Sequence, residues 1–312
     1  MLGGVRHTDH DRPGLDGPDL DGIALRLLEV PGVVAVALGG SRARGTHRPD
    51  SDIDLGLYYR GRLAVDRLRA LAREITGSDT DVTEPGGWGP WVNGGGWLVV
   101  DGWHVDWIYR DLDRVQRVWR DCRAGRYEVG FQVGHPLGFY SHAYAGEVAL
   151  CRVLADPGGE LTALRAEAAH YPPALREALI QGLWECDFAV TIAKYGVLGD
   201  DPSYAAATLF RAVGVACQAL HAAEGAWLIN EKGMIASADR LPSAPARFAE
   251  RAQALLAHVG GTPEEIARTL DDARTLIADV RTACGTAPAQ ARVSPPGPPA
   301  ERRPLKGETS DV

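Results

Sequence analysis

Apolar positions along the chain change period several times, and each change marks an element. From Leu20 to Val30 they fall on one helical face. Val33 to Leu38 is a short unbroken apolar run, the pattern of a buried strand. Ile53, Leu55 and Leu57 alternate with polar or small residues, which predicts a strand packed on one face. Leu63, Leu68, Leu71 and Ile75 return to helical spacing. Two strand-like runs then flank Asp101-Gly102. That dipeptide predicts a two-residue hairpin, because a type I′ turn needs positive φ at both central residues. A helix is expected from about Leu112 to Cys122.

Residues 124 to 150 are mixed, with Phe139, Tyr140, His142 and Tyr144 opening a helix. Cys151 to Leu154 is short and apolar. The periodicity then predicts helices alone, over 161–170, 173–195, 202–224, 244–259 and 263–284. This order implies an α/β (α+β) domain with a mixed sheet over residues 19–124 and an all-helical second domain over 125–286. Residues 1–18 are rich in Gly, Asp and His and read as a disordered leader. His7, Asp9, His10 and Asp11 are metal-binding types, but the leader composition outweighs them. Residues 287–312, with Ser294-Pro-Pro-Gly-Pro-Pro299, read as a disordered tail.

Composition narrows the function classes. A length of 312 residues accommodates two domains. The formal net charge is −8, and the body of the chain shows no basic cluster. Tight nucleic-acid binding is therefore not expected, whereas a cationic acceptor would be tolerated or attracted. The five cysteines are scattered and include no Cys-x-x-Cys pair, which suits free thiols in a reducing compartment. No signal peptide and no membrane-spanning run is apparent, so a cytoplasmic protein that does not enter the membrane is expected.

The chemistry concentrates between Gly39 and Leu57. Gly39, Gly40 and Ser41 follow the first strand, where a small-residue turn can present backbone N–H groups to phosphate. Asp52 and Asp54 stand at i and i+2, on one face of a strand. Two carboxylates so placed suit a hard cation such as Mg2+. In the hairpin, Trp103, Val105, Trp107 and Tyr109 face one way, and His104, Asp106 and Ile108 the other. An acid in so apolar a strand needs a partner or a metal. Asp106 is the candidate, while the turn accounts for Asp101, and Asp50 after Pro49 reads as loop.

Gly40-Ser41, a spacer and Asp52-Ile53-Asp54 resemble the motif of the polymerase-beta-like nucleotidyltransferase superfamily. Ala43-Arg44-Gly45, and Ser51 ahead of the first aspartate, are similar to the small-molecule and antitoxin-type members. The resemblance implies transfer of a nucleoside monophosphate, AMP from ATP in the first instance, to a hydroxyl of a small molecule with release of pyrophosphate. It implies that Asp52, Asp54 and Asp106 are catalytic and hold two Mg2+ ions. Gly39, Gly40, Ser41 and Arg44 are the nucleotide-binding candidates, Arg44 through its forked guanidinium. Asn230-Glu231-Lys232-Gly233 is similar to the segment through which kanamycin-nucleotidyltransferase-like members send a lysine to the phosphates. Lys232 joins the nucleotide-binding set on that ground, and is placed at the end of the helix from Pro202.

Other readings stay open. An antitoxin-type enzyme would modify a partner protein, and a non-catalytic regulator would only bind nucleotide. Arg165 and His170 repeat an Arg-x4-His spacing of partner ribonucleases, but so do Arg42 and His47. Glu147, His47, His104, His135 and His142 read as ordinary surface or core residues. Six of the eight tryptophans lie between 88 and 119. Each reads first as core, and as a group they are candidates to line an acceptor pocket. The acceptor, the preferred NTP and the oligomeric state are not fixed by these patterns.

Overall fold

The computed structural model of the protein describes residues 17–198 and 201–286. The expected tail, the leader up to residue 16 and its His7, Asp9, His10 and Asp11 lie outside the described residues.

The first helix, α1 (Leu20–Leu28), starts where the Asp19 side chain accepts the Gly22 N–H, and buries Ile23, Ala24 and Leu27. It leads into β1 (Val33–Leu38), the short helix α2 (Gly40–Ala43), β2 (Ile53–Tyr59) and α3 (Val65–Thr76). The hairpin β3 (Gly95–Val100) and β4 (Trp103–Asp111) turns on Asp101 (φ 52°) and Gly102 (φ 82°), as the dipeptide predicts. Then come α4 (Leu112–Arg123), the two-residue strands β5 (Val129–Gly130) and β6 (Phe139–Tyr140), α5 (Ala143–Leu150) and β7 (Arg152–Ala155).

The main sheet is mixed and has five strands in the order β3-β4-β2-β1-β7. Only β2 and β4 run parallel. Its last strand comes from residues 152–155, inside the stretch that periodicity assigns to the helical half. Four residues are too few for a period to separate such a strand from a helix fragment. One sheet face presents Ile53, Leu55, Leu57, Val105, Trp107 and Tyr109 to a core shared with α1 and α3. The opposite face turns Ala35, Ala37 and Tyr58 toward α4, α5 and the helices beyond.

The remainder is helical: α6 (Glu160–Ala168), α7 (Pro173–Gln181), α8 (Trp184–Leu198), α9 (Pro202–Ala223), α10 (Met234–Ala238), α11 (Phe248–Ala257) and α12 (Pro263–Ala283). The helix expected over 173–195 is two helices that part at Gly182 and Leu183. There a Cβ on residue 182 would meet the Leu179 carbonyl at 3.0 Å. The helix from Pro202 stops at Ala223. Gly225 takes φ 64° and the Ala226 N–H closes back on the His221 carbonyl, a C-terminal cap of Schellman type. Residues 226–230 are therefore irregular, and Lys232 lies not at the end of this helix but just ahead of the next one, next to its N-cap Gly233. One described helix, α9, has the length and apolar composition of a membrane span, contrary to the expectation, but most of it is buried against its neighbours α7, α8 and α12. The five cysteines are free, and four of them are buried.

Candidate functional site

The site begins where β1 ends. The Gly39 N–H donates to the Asp54 carbonyl at 2.7 Å, docking the turn on β2. Gly40 follows with φ +61°, and a Cβ there would lie 1.7 Å from Asp54 Oδ2. Glycine is required twice over, by the backbone angle and by the carboxylate it touches. Ser41 is half-buried, and its carbonyl takes the Thr46 N–H at 3.0 Å. Among the described residues its hydroxyl donates to no protein group.

Two arginines of this turn have different partners. Arg44 is exposed, its Nε donates to the Gly40 carbonyl at 3.1 Å, and its charge favours the ionised Asp54 carboxylate, drawing its pKa down. Arg42, which the sequence reading passed over, reaches across to the second half of the motif. It donates to the Ser51 carbonyl from Nη2 at 2.6 Å and to the Asp52 carbonyl from Nε at 3.2 Å. Its guanidinium also stands 4.9 Å over the Trp103 ring. Arg42 thus ties down the backbone that carries Asp52, which lies just ahead of β2 rather than within it.

Asp54 lies within β2, and the parallel register sets it directly beside Asp106 of β4. The consequences are electrostatic. Burial, then the charges of Asp54 and Asp52, push the Asp106 carboxyl up to about 6, while His104 draws it back. Burial, then Asp52 and Glu147, likewise raise Asp54, against Arg44 and Arg110. Asp54 and Asp106 are both raised by burial and by neighbouring carboxylates, so the cluster is short of positive charge that a divalent cation would supply. Among the described residues no three His, Cys, Asp or Glu side chains already form a closed ligand set. Mg2+ does not need one, since it is held by one or two carboxylates together with substrate phosphates. The donor set fits.

A second buried charge system backs these acids. Arg110 continues the Asp106 face of β4 and grips Glu147 of α5 through two hydrogen bonds, Nε to Oε2 at 2.6 Å and Nη2 to Oε1 at 2.7 Å. The Arg110 side chain is 6% exposed and that of Glu147 26%. Glu147 is therefore a paired, half-buried residue beside the acids, not an ordinary surface glutamate. Strand parity extends from Asp106 to Arg110 and was the available signal for Arg110; its partner lies in another element and left none.

The remaining candidates lie apart. Lys232 is exposed, its backbone N–H held by Asn230 Oδ1 at 2.7 Å, and its charge is not among those acting on Asp54 or Asp106. The loop before it does pack on the helix of Glu147, where Gly146 leaves room for Ile229 and Trp227. His142 is buried, and burial lowers it to about 4. The tryptophans divide: Trp91, Trp107 and Trp119 are core, whereas Trp97 is 65% exposed.

No curated relative matches the chain. Among solved structures, it is similar to a nucleotidyltransferase-like protein from Exiguobacterium sibiricum, with 10% identity, 85% of this chain and 78% of that one covered, and a TM-score of 0.44. Residues 20–84, which hold the glycine–serine turn, Asp52 and Asp54, match the family model of the nucleotidyltransferase domain. Those residues form a nucleotidyltransferase domain of the polymerase-beta-like superfamily.

Proposed function

We propose that the chain moves a nucleoside monophosphate, AMP from ATP in the first instance, onto a hydroxyl of a small acceptor and releases pyrophosphate. The observation that carries this reading is the pairing of Asp54 with Asp106 directly across the turn at Gly40. Asp52, Asp54 and Asp106 would hold Mg2+. Bound there, Mg2+ supplies Lewis-acid charge to the phosphate oxygens.

The protein's own groups do the rest. The Gly39–Gly40 backbone, the Ser41 hydroxyl and Arg44 hold the outer phosphates, with Lys232 as a further cation that a closing loop would bring in. Asp106 takes the proton of the acceptor hydroxyl as its oxygen bonds to the α-phosphorus, and the bond to the leaving pyrophosphate breaks. Arg110 and Glu147 act on Asp54 with opposing charges, so the pair adds no net charge beside it. Nucleic acid is not the expected acceptor, given the net charge of −8. A cytoplasmic setting suits the free buried thiols.

The test is incubation with each labelled NTP and Mg2+, with and without a metabolite extract, followed by mass spectrometry. A product heavier than its acceptor by one nucleoside monophosphate, made with pyrophosphate, is expected. Labelled NTP that stays intact in every mixture, at protein concentrations that bind it, would overturn the reading.

A further inference from the structure

Asp106 has a second neighbour besides Asp54. On its other side, across the antiparallel hairpin, the paired residue is Trp97. Directly paired side chains share a face, so Trp97 stands beside the carboxylate. Its ring stacks on Trp88, with centroids 4.6 Å apart and planes 17° from parallel. Trp97 nevertheless remains 65% exposed and Val99, next on the same face, 52%. Trp97 and Val99 thus leave apolar surface open beside an acid, the kind of exposed patch that marks a binding site.

The pair is built rather than incidental. Gly95 is bare because a Cβ there would meet the Trp107 carbonyl at 1.7 Å, and the same missing side chain leaves the Trp88 ring room at 3.0 Å. The backbone next to Trp88 is clamped by Gln132, which is 2% exposed. Its Nε2 donates to the Trp88 carbonyl at 2.7 Å, and its Oε1 accepts the N–H groups of Trp91 and Val92 at 3.0 Å each. A buried amide with these partners fixes the aromatic loop against the sheet edge.

The order across the sheet assigns the stack its side of the reaction. The glycine–serine turn closes β1, Asp54 is on β2, Asp106 on β4 and Trp97 on β3. At the usual strand spacing, Trp97 is about 10 Å beyond Asp54, on the side away from the phosphate turn. That is where an acceptor must lie if Asp106 takes its proton. Among the described residues, the exposed part of this hairpin face offers Trp97, Val99, His104 and Asp106, while Arg110, further along the same face, is buried and already paired with Glu147.

Resting on the transfer reading above, we propose that the Trp88–Trp97 stack is the acceptor wall. The acceptor is a neutral or cationic molecule with a flat ring that lies on the open indole face and a hydroxyl that reaches Asp106. Stacking of a flat ring on an aromatic side chain is typically worth about tenfold or more in affinity.

The test uses the full chain with tyramine, its ring-saturated counterpart and hydroxyphenylacetate. Binding is read by saturation-transfer NMR and transfer by mass spectrometry with NTP and Mg2+. Tyramine should bind at least about tenfold more tightly than either control. Trp97→Ala should remove that preference and Trp97→Tyr should keep most of it, while calorimetry shows NTP affinity unchanged by either. Equal tyramine binding by wild type and Trp97→Ala, or no preference for the flat ring, overturns the proposal. A macromolecule as the true occupant would give that second result. Binding is read without turnover, so ring-dependent binding with no product counts against the transfer reading alone. Product formed equally well by Trp97→Ala counts against the acceptor wall alone.

Discussion

Asp54 and Asp106 are directly paired residues on parallel strands, although α3 and β3 separate them along the chain. The pairing brings two carboxylates, with Asp52 close by, into a space where burial raises both, Asp54 and Asp52 raise Asp106 further, and Asp52 and Glu147 raise Asp54 further. Without a cation this is a strained arrangement, and the strain is measurable.

The Asp106 carboxyl is raised to about 6 from 3.8, so between these values the folded state binds more protons than the unfolded one. Stability from this group is therefore present at low pH and is lost as pH rises through about 6. In EDTA, Asp106→Asn should gain melting temperature over wild type on going from pH 4 to pH 7, and saturating Mg2+ should shrink the gap. A constant difference across that range would show that the repulsion is absent.

Asp52→Ala and Asp54→Ala should each abolish Mg2+-dependent turnover and leave the helical circular dichroism intact. Activity within a few-fold of wild type for either would remove that carboxylate from the proposed metal-binding set.

Much of this site was legible in the sequence, and the reasons are local. Gly40, Asp52 and Asp54 sit within one short stretch, and Asp101-Gly102 announces its own turn. The pairing of Asp106 with Asp54 was not legible as geometry, since register between distant strands leaves no trace in either. Arg42 was passed over because its partners are backbone carbonyls, which every residue carries. Glu147 was misread because its buried partner, Arg110, lies on another element. The break of the long helix before Lys232 was marked by Gly225, a cap residue one step beyond the last helical turn.

Gly40→Ala sets a methyl group against Asp54 and a side chain in left-handed backbone, a conformational cost of about 1–2 kcal/mol. Since Asp54 must move aside, Mg2+ and NTP affinity should fall by about tenfold or more while the melting temperature drops only by a few degrees. Calorimetry on the folded variant checks this; unchanged affinity would show that the turn adjusts freely.

Glu147→Gln leaves Arg110 charged and buried without a full partner. A fully enclosed pair loses about 3–5 kcal/mol when one member is removed, and the partial exposure of Glu147 puts this case nearer 2. The unbalanced guanidinium also competes with the cation, so half-saturating Mg2+ should rise. Urea unfolding and a Mg2+ titration of turnover read the two effects separately.

Lys232→Ala should weaken NTP binding more than acceptor binding if the loop brings its ammonium to the phosphates. Calorimetry with unchanged nucleotide affinity would return Lys232 to the surface.

Because β7 follows α5 in the chain, the sheet cannot close until residues 152–155 have been synthesised and folded back beside β1. A fragment ending at α4 would leave Val36, Ala37 and Leu38 with an unpaired backbone edge on a strand of apolar residues. Such an edge is a template for association with other chains. The same fragment would lack Glu147 and leave Arg110 alone. Limited proteolysis or truncation meant to isolate the acid-bearing half would therefore recover a monodisperse piece only if the cut falls after Ala155. On a ribosome, aggregation risk should persist until that strand has emerged.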